Sequence, residues 1–340
     1  MNIAFRVDAN KKIGGGHFQR CLNFAKIIKN KNRDIYFISR NLNKNLKRRL
    51  YNQRIELINF KSKKEYEIFD ILKNNKIDDL VIDHYSIKKN LEKKIKNKVK
   101  KLIVFDDKLI KHFGHLIINN NFLHKNKIQK FKNINSESKV FAGAEFFFNN
   151  FYTSKNFYLK KDNRSEIRNL FIFFGLSDPE NSTLKVLKAI CNLNKIKIHV
   201  VVGNFNTDIE EIKSLCRKKT HLKYYENISN EKVMKIMLKC DLAIGSGGVN
   251  LIERVIMCLP SIVISNIKNQ RSNLDYLNSK KVIIKTNIKN LNKFFFNSLL
   301  DKKNLFLKKK FFYLFNNTFQ MSKFLLLKNK KFINKINRLI

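Results

Sequence analysis

The chain has 340 residues, 44% of them hydrophobic, which is enough apolar material for two buried cores and excludes a disordered polar polymer. Lys and Arg number 70 against 27 Asp and Glu, a formal net charge of +43. The lysines are strewn along the whole length among Asn, Ile and Phe, so the charge reads as a general residue bias and not as a selected nucleic-acid surface.

The five cysteines, Cys21, Cys191, Cys216, Cys240 and Cys258, are odd in number and lack metal-ligand spacing. Reduced thiols in a cytoplasmic protein are expected. Asn2 to Val7 is too short an apolar stretch for a signal peptide, and no apolar run is long enough to span a bilayer. A monomer without membrane span, cofactor or specific nucleic-acid partner is the expectation.

In chain order, strand-like runs fall at 3–7, 35–39, 55–59, 79–83, 102–106 and 116–119, with helical patterns between them. One such helix, 17–29, puts Phe18, Cys21, Leu22, Ala25 and Ile28 on one face. This alternation predicts a parallel sheet wrapped by helices over an N-terminal α/β domain, 1–152. The polar, charged run 153–169 reads as a linker. The alternation then restarts in a second domain, 170–300, with strands at 170–174, 197–202, 222–225, 242–245, 261–265 and 282–285. Its helices are expected at 182–192, 207–218, 230–239, 249–258 and 270–280. The basic tail, 301–340, reads as helical. The fold expected is α/β, with two tandem doubly wound, Rossmann-like domains and a cleft between them.

Six of the ten glycines lie in two short loops. Gly14-Gly15-Gly16-His17 stands between the first strand and the first helix. Glycine lets the backbone approach a phosphate or sugar closely, and the helix start behind it favours negative charge. His17 is the candidate general base; the helix dipole is expected to hold its imidazole neutral. In open α/β sheets ligands bind at the carboxyl ends of strands. Asp8, Asn10, Asp83, His84, Tyr85, Asp106, Asp107 and Asn119 to Asn121 all follow strands in this way, as helix and turn caps also would. His112, His115, His124, His199 and His221 lack such context and read as structural or surface residues.

The second domain carries Phe174-Gly175-Leu176-Ser177-Asp178-Pro179 and Gly245-Ser246-Gly247-Gly248-Val249-Asn250, each before a helix. Backbone N–H groups at the second loop suit a diphosphate, and Glu253, one turn further on, suits two ribose hydroxyls. Neither loop matches a dinucleotide or Walker motif. Pro179 and Pro260 fit rigid turns beside these loops.

Arg6-Val7-Asp8 followed by Ile13-Gly14-Gly15-Gly16-His17-Phe18-Gln19-Arg20 resembles the opening of the UDP-2,4-diacetamido-2,4,6-trideoxy-β-L-altropyranose hydrolases of pseudaminic acid synthesis. Ile82-Asp83-His84-Tyr85, Phe105-Asp106-Asp107, Asn119-Asn120-Asn121 and Ser177-Asp178-Pro179 follow in that family's order. So do Gly247-Gly248 with Glu253, Leu259-Pro260-Ser261 and Asn269-Gln270. The chain departs from the pattern at Leu176, Val249 and Asn250, and around Ala144 and Asn150.

The resemblance implies a fold similar to GT-B glycosyltransferases such as MurG, with UDP held mainly by the second domain. It implies inverting hydrolysis of a UDP-linked sugar by water; with no metal-ligand cluster visible in the sequence, the reaction is expected to be metal-independent. His17 would be the base, with Asp83, Tyr85 and Asp107 as its catalytic set. Gly14, Gly15, Gly16, Arg20, Asn121, Gly175, Ser177, Gly247, Gly248, Asn250, Glu253, Asn269 and Gln270 would bind substrate. Closure of the domains would exclude bulk water. A glycosyltransferase on the same architecture, or a basic polyanion-binding protein on a vestigial enzyme fold, are the alternatives.

Overall fold

A computed structural model of the chain describes residues 1–10, 13–29, 33–61, 64–148, 166–264, 271–291 and 305–340. The first sheet contains β1 (Asn2–Val7), β2 (Asp34–Ser39), β3 (Glu56–Asn59), β4 (Asp79–Asp83), β5 (Lys101–Phe105), β6 (Leu116–Asn119) and β7 (Lys139–Ala142). Their spatial order is β3-β2-β1-β4-β5-β6-β7, and every pairing is parallel. Helices α1 (Gly16–Ile28), α2 (Lys44–Tyr51), α3 (Ile68–Asn74), α4 (Lys89–Lys96) and α5 (Lys125–Ile134) connect them. Covered on both faces, the central strands can be apolar at every position, and β4 is buried throughout.

The second sheet contains β8 (Asn169–Phe173), β9 (Lys197–Val202), β10 (Leu222–Glu226), β11 (Leu242–Gly245), β12 (Ser261–Ile264) and β13 (Ile283–Thr286). It is also parallel, in the order β10-β9-β8-β11-β12-β13. Its helices are α6 (Ser182–Ile190), α7 (Ile209–Arg217), α8 (Asn230–Lys239), α9 (Val249–Ile256) and α10 (Arg271–Ser279), followed by the long α11 (Leu305–Leu339). The twelve expected strands and the six helices with expected bounds, α1 and α6–α10, fall within a residue or two of those bounds. The exception is β7, a four-residue edge strand beginning at exposed Lys139, which the sequence reading did not include.

The chain divides into two compact units, Met1–Asn150 with Leu327–Ile340, and Phe151–Leu326. Helix α11 contributes to both. In the second unit, the Thr318 hydroxyl donates to the Val282 carbonyl at 3.1 Å and that of Ser322 to the Ile256 carbonyl at 2.6 Å. In the first, Phe332 packs its ring against Phe141, Phe146 and Phe148, with centroids 5.1–5.3 Å apart. The run read as a linker lies mostly outside the described residues.

Both sheets reverse strand order at one point, between β1 and β4 and between β8 and β11. Chains leaving the two strands at such a switch point diverge to opposite faces and leave a crevice at the carboxyl edge. The Gly14–His17 turn follows β1 and Asp83 ends β4. In the second sheet, the Gly175 loop follows β8 and the Gly245–Gly248 loop follows β11.

Candidate active site

The turn after β1 is closed by backbone. The Gly14 N–H donates to the Asn10 carbonyl at 2.7 Å, and the Asn10 side chain accepts from the Ile13 N–H at 2.9 Å. Gly14 has φ +78°, which a side chain would resist. Helix α1 then starts at Gly16 without a side-chain cap. His17 and Arg20, three residues apart, share the helix face turned to the end of β4. Val7 pairs with Asp83 in the sheet, which fixes the strand end opposite that face.

His17 Nδ1 lies 2.6 Å from Asp83 Oδ1. Arg20 binds Asp83 with both prongs, Nε to Oδ2 at 2.9 Å and Nη2 to Oδ1 at 2.7 Å. The same guanidinium donates to Asp107 Oδ1 at 2.8 Å and Oδ2 at 3.0 Å, and to Asn120 Oδ1 at 3.0 Å. Tyr85 donates its hydroxyl to Asp107 Oδ2 at 3.4 Å, and Asn121 its amide to Oδ1 at 3.3 Å. The Tyr85 ring meets the His17 ring edge-on at 5.0 Å. Beneath, the Arg20 guanidinium lies 4.6 Å from the centre of the Phe105 ring.

The electrostatics follow from burial. Desolvation alone would lower the pKa of His17, but the adjacent Asp83 carboxylate more than offsets it and raises the pKa above 6.5. The neutral imidazole expected from the helix dipole is therefore corrected: one carboxylate in direct contact outweighs a partial dipole charge. Burial would raise the pKa of Asp83 and of Asp107, yet Arg20 holds both below the usual carboxylate range. With His17 neutral, two carboxylates face one guanidinium, and the cluster carries one net negative charge. Capture of one proton by His17 makes it neutral.

His17, Asp83 and Asp107 offer three ligand atoms within 4.8 Å of one another, the geometry of a cation site. The resemblance groups these three as a catalytic set, but their separation in the chain gives no metal-ligand spacing. Arg20 already uses both oxygens of each carboxylate, so a metal would have to displace a buried guanidinium. The donor set suits a proton better than a metal ion.

Several strand-end residues serve the scaffold. Asp8 is held by Arg6 at 2.6 Å, by the Arg40 N–H at 2.8 Å and by His84 at 2.8 Å, inside a buried network with Glu65. Asp106 accepts from the N–H groups of Lys108 and Leu109 and from His112. Asp178 caps α6 through the N–H groups of Ser182 and Thr183, at 2.9 and 2.8 Å. Asn120 and Phe105 stand in the Asn119–Asn121 and Phe105–Asp107 motifs, but their contacts with Arg20 come from strand ends that only the fold brings to α1.

The second unit presents its own constellation. Gly175 has φ +99° and begins the loop holding Ser177. A side chain on Gly203, at the end of β9, would overlap the backbone of Leu176, so this glycine lets the loop pack down. Gly248 caps α9 with backbone alone, beside Gly247. Glu253 accepts from Asn230 at 3.0 Å and Asn250 at 2.8 Å. Arg254 is fully buried below the glycine loop, where burial pushes its pKa down to about 9. Asn269 and Gln270 lie outside the described residues.

No family model matches the chain. It is 29% identical over 309 residues, 87% of its length, to an uncharacterised protein of Methanocaldococcus jannaschii, and spans 62% of that protein. It is 25% identical over 283 residues to the UDP-2,4-diacetamido-2,4,6-trideoxy-beta-L-altropyranose hydrolase of Campylobacter jejuni, covering 82% of this chain and 97% of that one. To the spore coat polysaccharide biosynthesis protein SpsG of Bacillus subtilis it is 25% identical over 280 residues, 79% of each. Among solved structures, MurG of Acinetobacter baumannii matches with a TM-score of 0.63 at 13% identity, over 100% of this chain and 99% of that one. The chain is thus a two-domain α/β protein of the GT-B fold, similar in sequence to the Campylobacter hydrolase and to SpsG.

Proposed function

We propose that the protein hydrolyses a UDP-linked 2,4-diacetamido-2,4,6-trideoxy sugar, without a metal, for nonulosonate synthesis of the pseudaminic acid type. The observation that carries this reading is the His17–Asp83 contact inside a cluster with one uncompensated negative charge. Nδ1–H donates to Asp83, which fixes the tautomer and leaves Nε2 as the basic nitrogen. A water held at Nε2 attacks the anomeric carbon. Its proton passes to His17, a bond forms from its oxygen to the carbon, and the bond from that carbon to the UDP oxygen breaks with inversion. The electron pair leaves with UDP, a leaving group stable enough as the anion to need no strong general acid. Asp107, Tyr85 and Asn121 position the water and the sugar's acetamido groups.

The relationship to the Campylobacter hydrolase over nearly all of that protein supports this chemistry. The likeness to MurG favours a second reading, transfer of the sugar to an acceptor hydroxyl. One experiment separates them. Purified protein is incubated with UDP-2,4-diacetamido-2,4,6-trideoxy-β-L-altrose in EDTA, and NMR follows UDP and free sugar. Release of both without an acceptor supports the hydrolase. UDP binding without release moves the assignment to a transferase or to another UDP-sugar.

A further inference from the structure

Among the described residues three arginines are buried: Arg6, Arg20 and Arg254. Arg6 pairs with Asp8 and Glu65, and Arg20 with Asp83 and Asp107. Arg254 is as deeply buried and has no carboxylate within ion-pair distance among the described residues. Glu253, its neighbour in sequence, turns its oxygens to Asn230 and Asn250. A buried cation without an anion is costly, and proteins keep one only where something compensates it.

The geometry around Arg254 points to what does. Its Nη2 donates to the Ser246 carbonyl, and its Nε faces the Asn250 carbonyl at 3.5 Å. Nη1 is buried, has no hydrogen-bond partner among the described residues, and would lie 3.0 Å from a Cβ placed on Gly245. The guanidinium therefore sits inside the curve of the Gly245–Asn250 loop. The backbone start of α9 lies in the same place, so helix dipole and guanidinium add on one spot.

We infer that Arg254 is the built-in counter-charge of the loop: it shapes Gly245–Gly248 from below, and its unpaired charge is compensated by the diphosphate of the bound nucleotide. Arg254 is a positioning residue, and this assignment rests on the proposed UDP site. It explains why β11 ends in glycine, since any side chain on Gly245 would meet the guanidinium and overlap the Phe173 carbonyl.

The test is calorimetric binding of UDP, inorganic pyrophosphate and uridine to the full chain, to Arg254→Met and to Arg254→Lys. Loss of the buried charge beneath the loop is expected to weaken UDP and pyrophosphate about 100-fold in Arg254→Met and leave uridine unchanged. Arg254→Lys keeps the charge and is expected to retain most of the preference for UDP over uridine. A structural role alone would weaken UDP and uridine together, and that result overturns the inference. So does an unchanged preference for UDP in Arg254→Met. If Arg254→Met does not fold, the lysine variant decides: a kept preference supports the charge, a lost one refutes it. If the unaltered protein binds pyrophosphate but gains nothing from the uridine of UDP, the proposed nucleotide is wrong and the anion site stands.

Discussion

His17 Nδ1 and Asp83 Oδ1 are 2.6 Å apart, and that contact sets the pH at which the site can work. Asp83 favours the imidazolium, so the pKa of His17 is raised and the neutral base is available only above it. The expected kcat/KM profile therefore loses activity as pH falls through a value above 6.5. In Asp83→Asn the favouring anion is gone, and the acid limb moves to lower pH. The rate falls as well, by about 10²- to 10⁴-fold, because the tautomer is no longer fixed. A limb that stays in place in Asp83→Asn removes His17 from the role of base.

Replacement of His17 separates chemistry from binding. His17→Asn is expected to lower kcat by about 10²- to 10⁴-fold. UDP affinity should be unchanged, because the proposed nucleotide loops lie in the other unit. Single-turnover UDP release together with UDP titration checks both halves. Turnover at the original rate would eliminate the mechanism proposed above.

How much of this was readable beforehand depends on the range of the signal. Strand–glycine–histidine–helix is local, so the turn at Gly14–His17 and the ends of β1 and β4 were visible in the sequence. Periodicity also placed nearly every strand, because buried parallel strands are uninterrupted apolar runs. The Arg20 clamp was not visible as a clamp. It joins Asp83, Asp107 and Asn120, and only the sheet order brings those three strand ends together. The proton affinity of His17 was misjudged for the same reason: the dipole is a property of the local helix, whereas Asp83 arrives from β4. Arg254 looked like one more residue in a basic chain, and only its burial distinguishes it.

A second histidine links pH to stability. His112 Nδ1 is 2.8 Å from Glu92 and Nε2 is 3.0 Å from Asp106. Both nitrogens face acceptors, so the ring is held as the cation. Burial opposes this, but the two carboxylates raise its pKa to about 9. A raised folded-state pKa stabilises fully below the unfolded value near 6.5 and is lost as pH rises through about 9. The contribution is on the order of 3 kcal/mol. Urea melts of the protein and of His112→Gln should differ most at pH 6 and converge towards pH 10. Equal differences at both pH values would show that the ring is not held as a cation.

The end of α11 offers the last prediction. Phe332 is 3% exposed and meets three other phenylalanine rings, while Asn329 donates its amide to the carbonyls of Glu145 and Phe147 at 2.7 Å each. Those carbonyls belong to the single 3₁₀ turn Ala144–Phe146 after β7 and to Phe147, which ends it. Phe332→Ala opens a cavity in the aromatic cluster and is expected to cost about 3–5 kcal/mol. Phe324, 48% exposed on the same helix, is the control, and Phe324→Ala should cost no more than about 1 kcal/mol. Thermal melts of the two variants read the difference directly. A drop in Tm no larger for Phe332→Ala than for Phe324→Ala would mean that the end of the helix does not hold the first unit together.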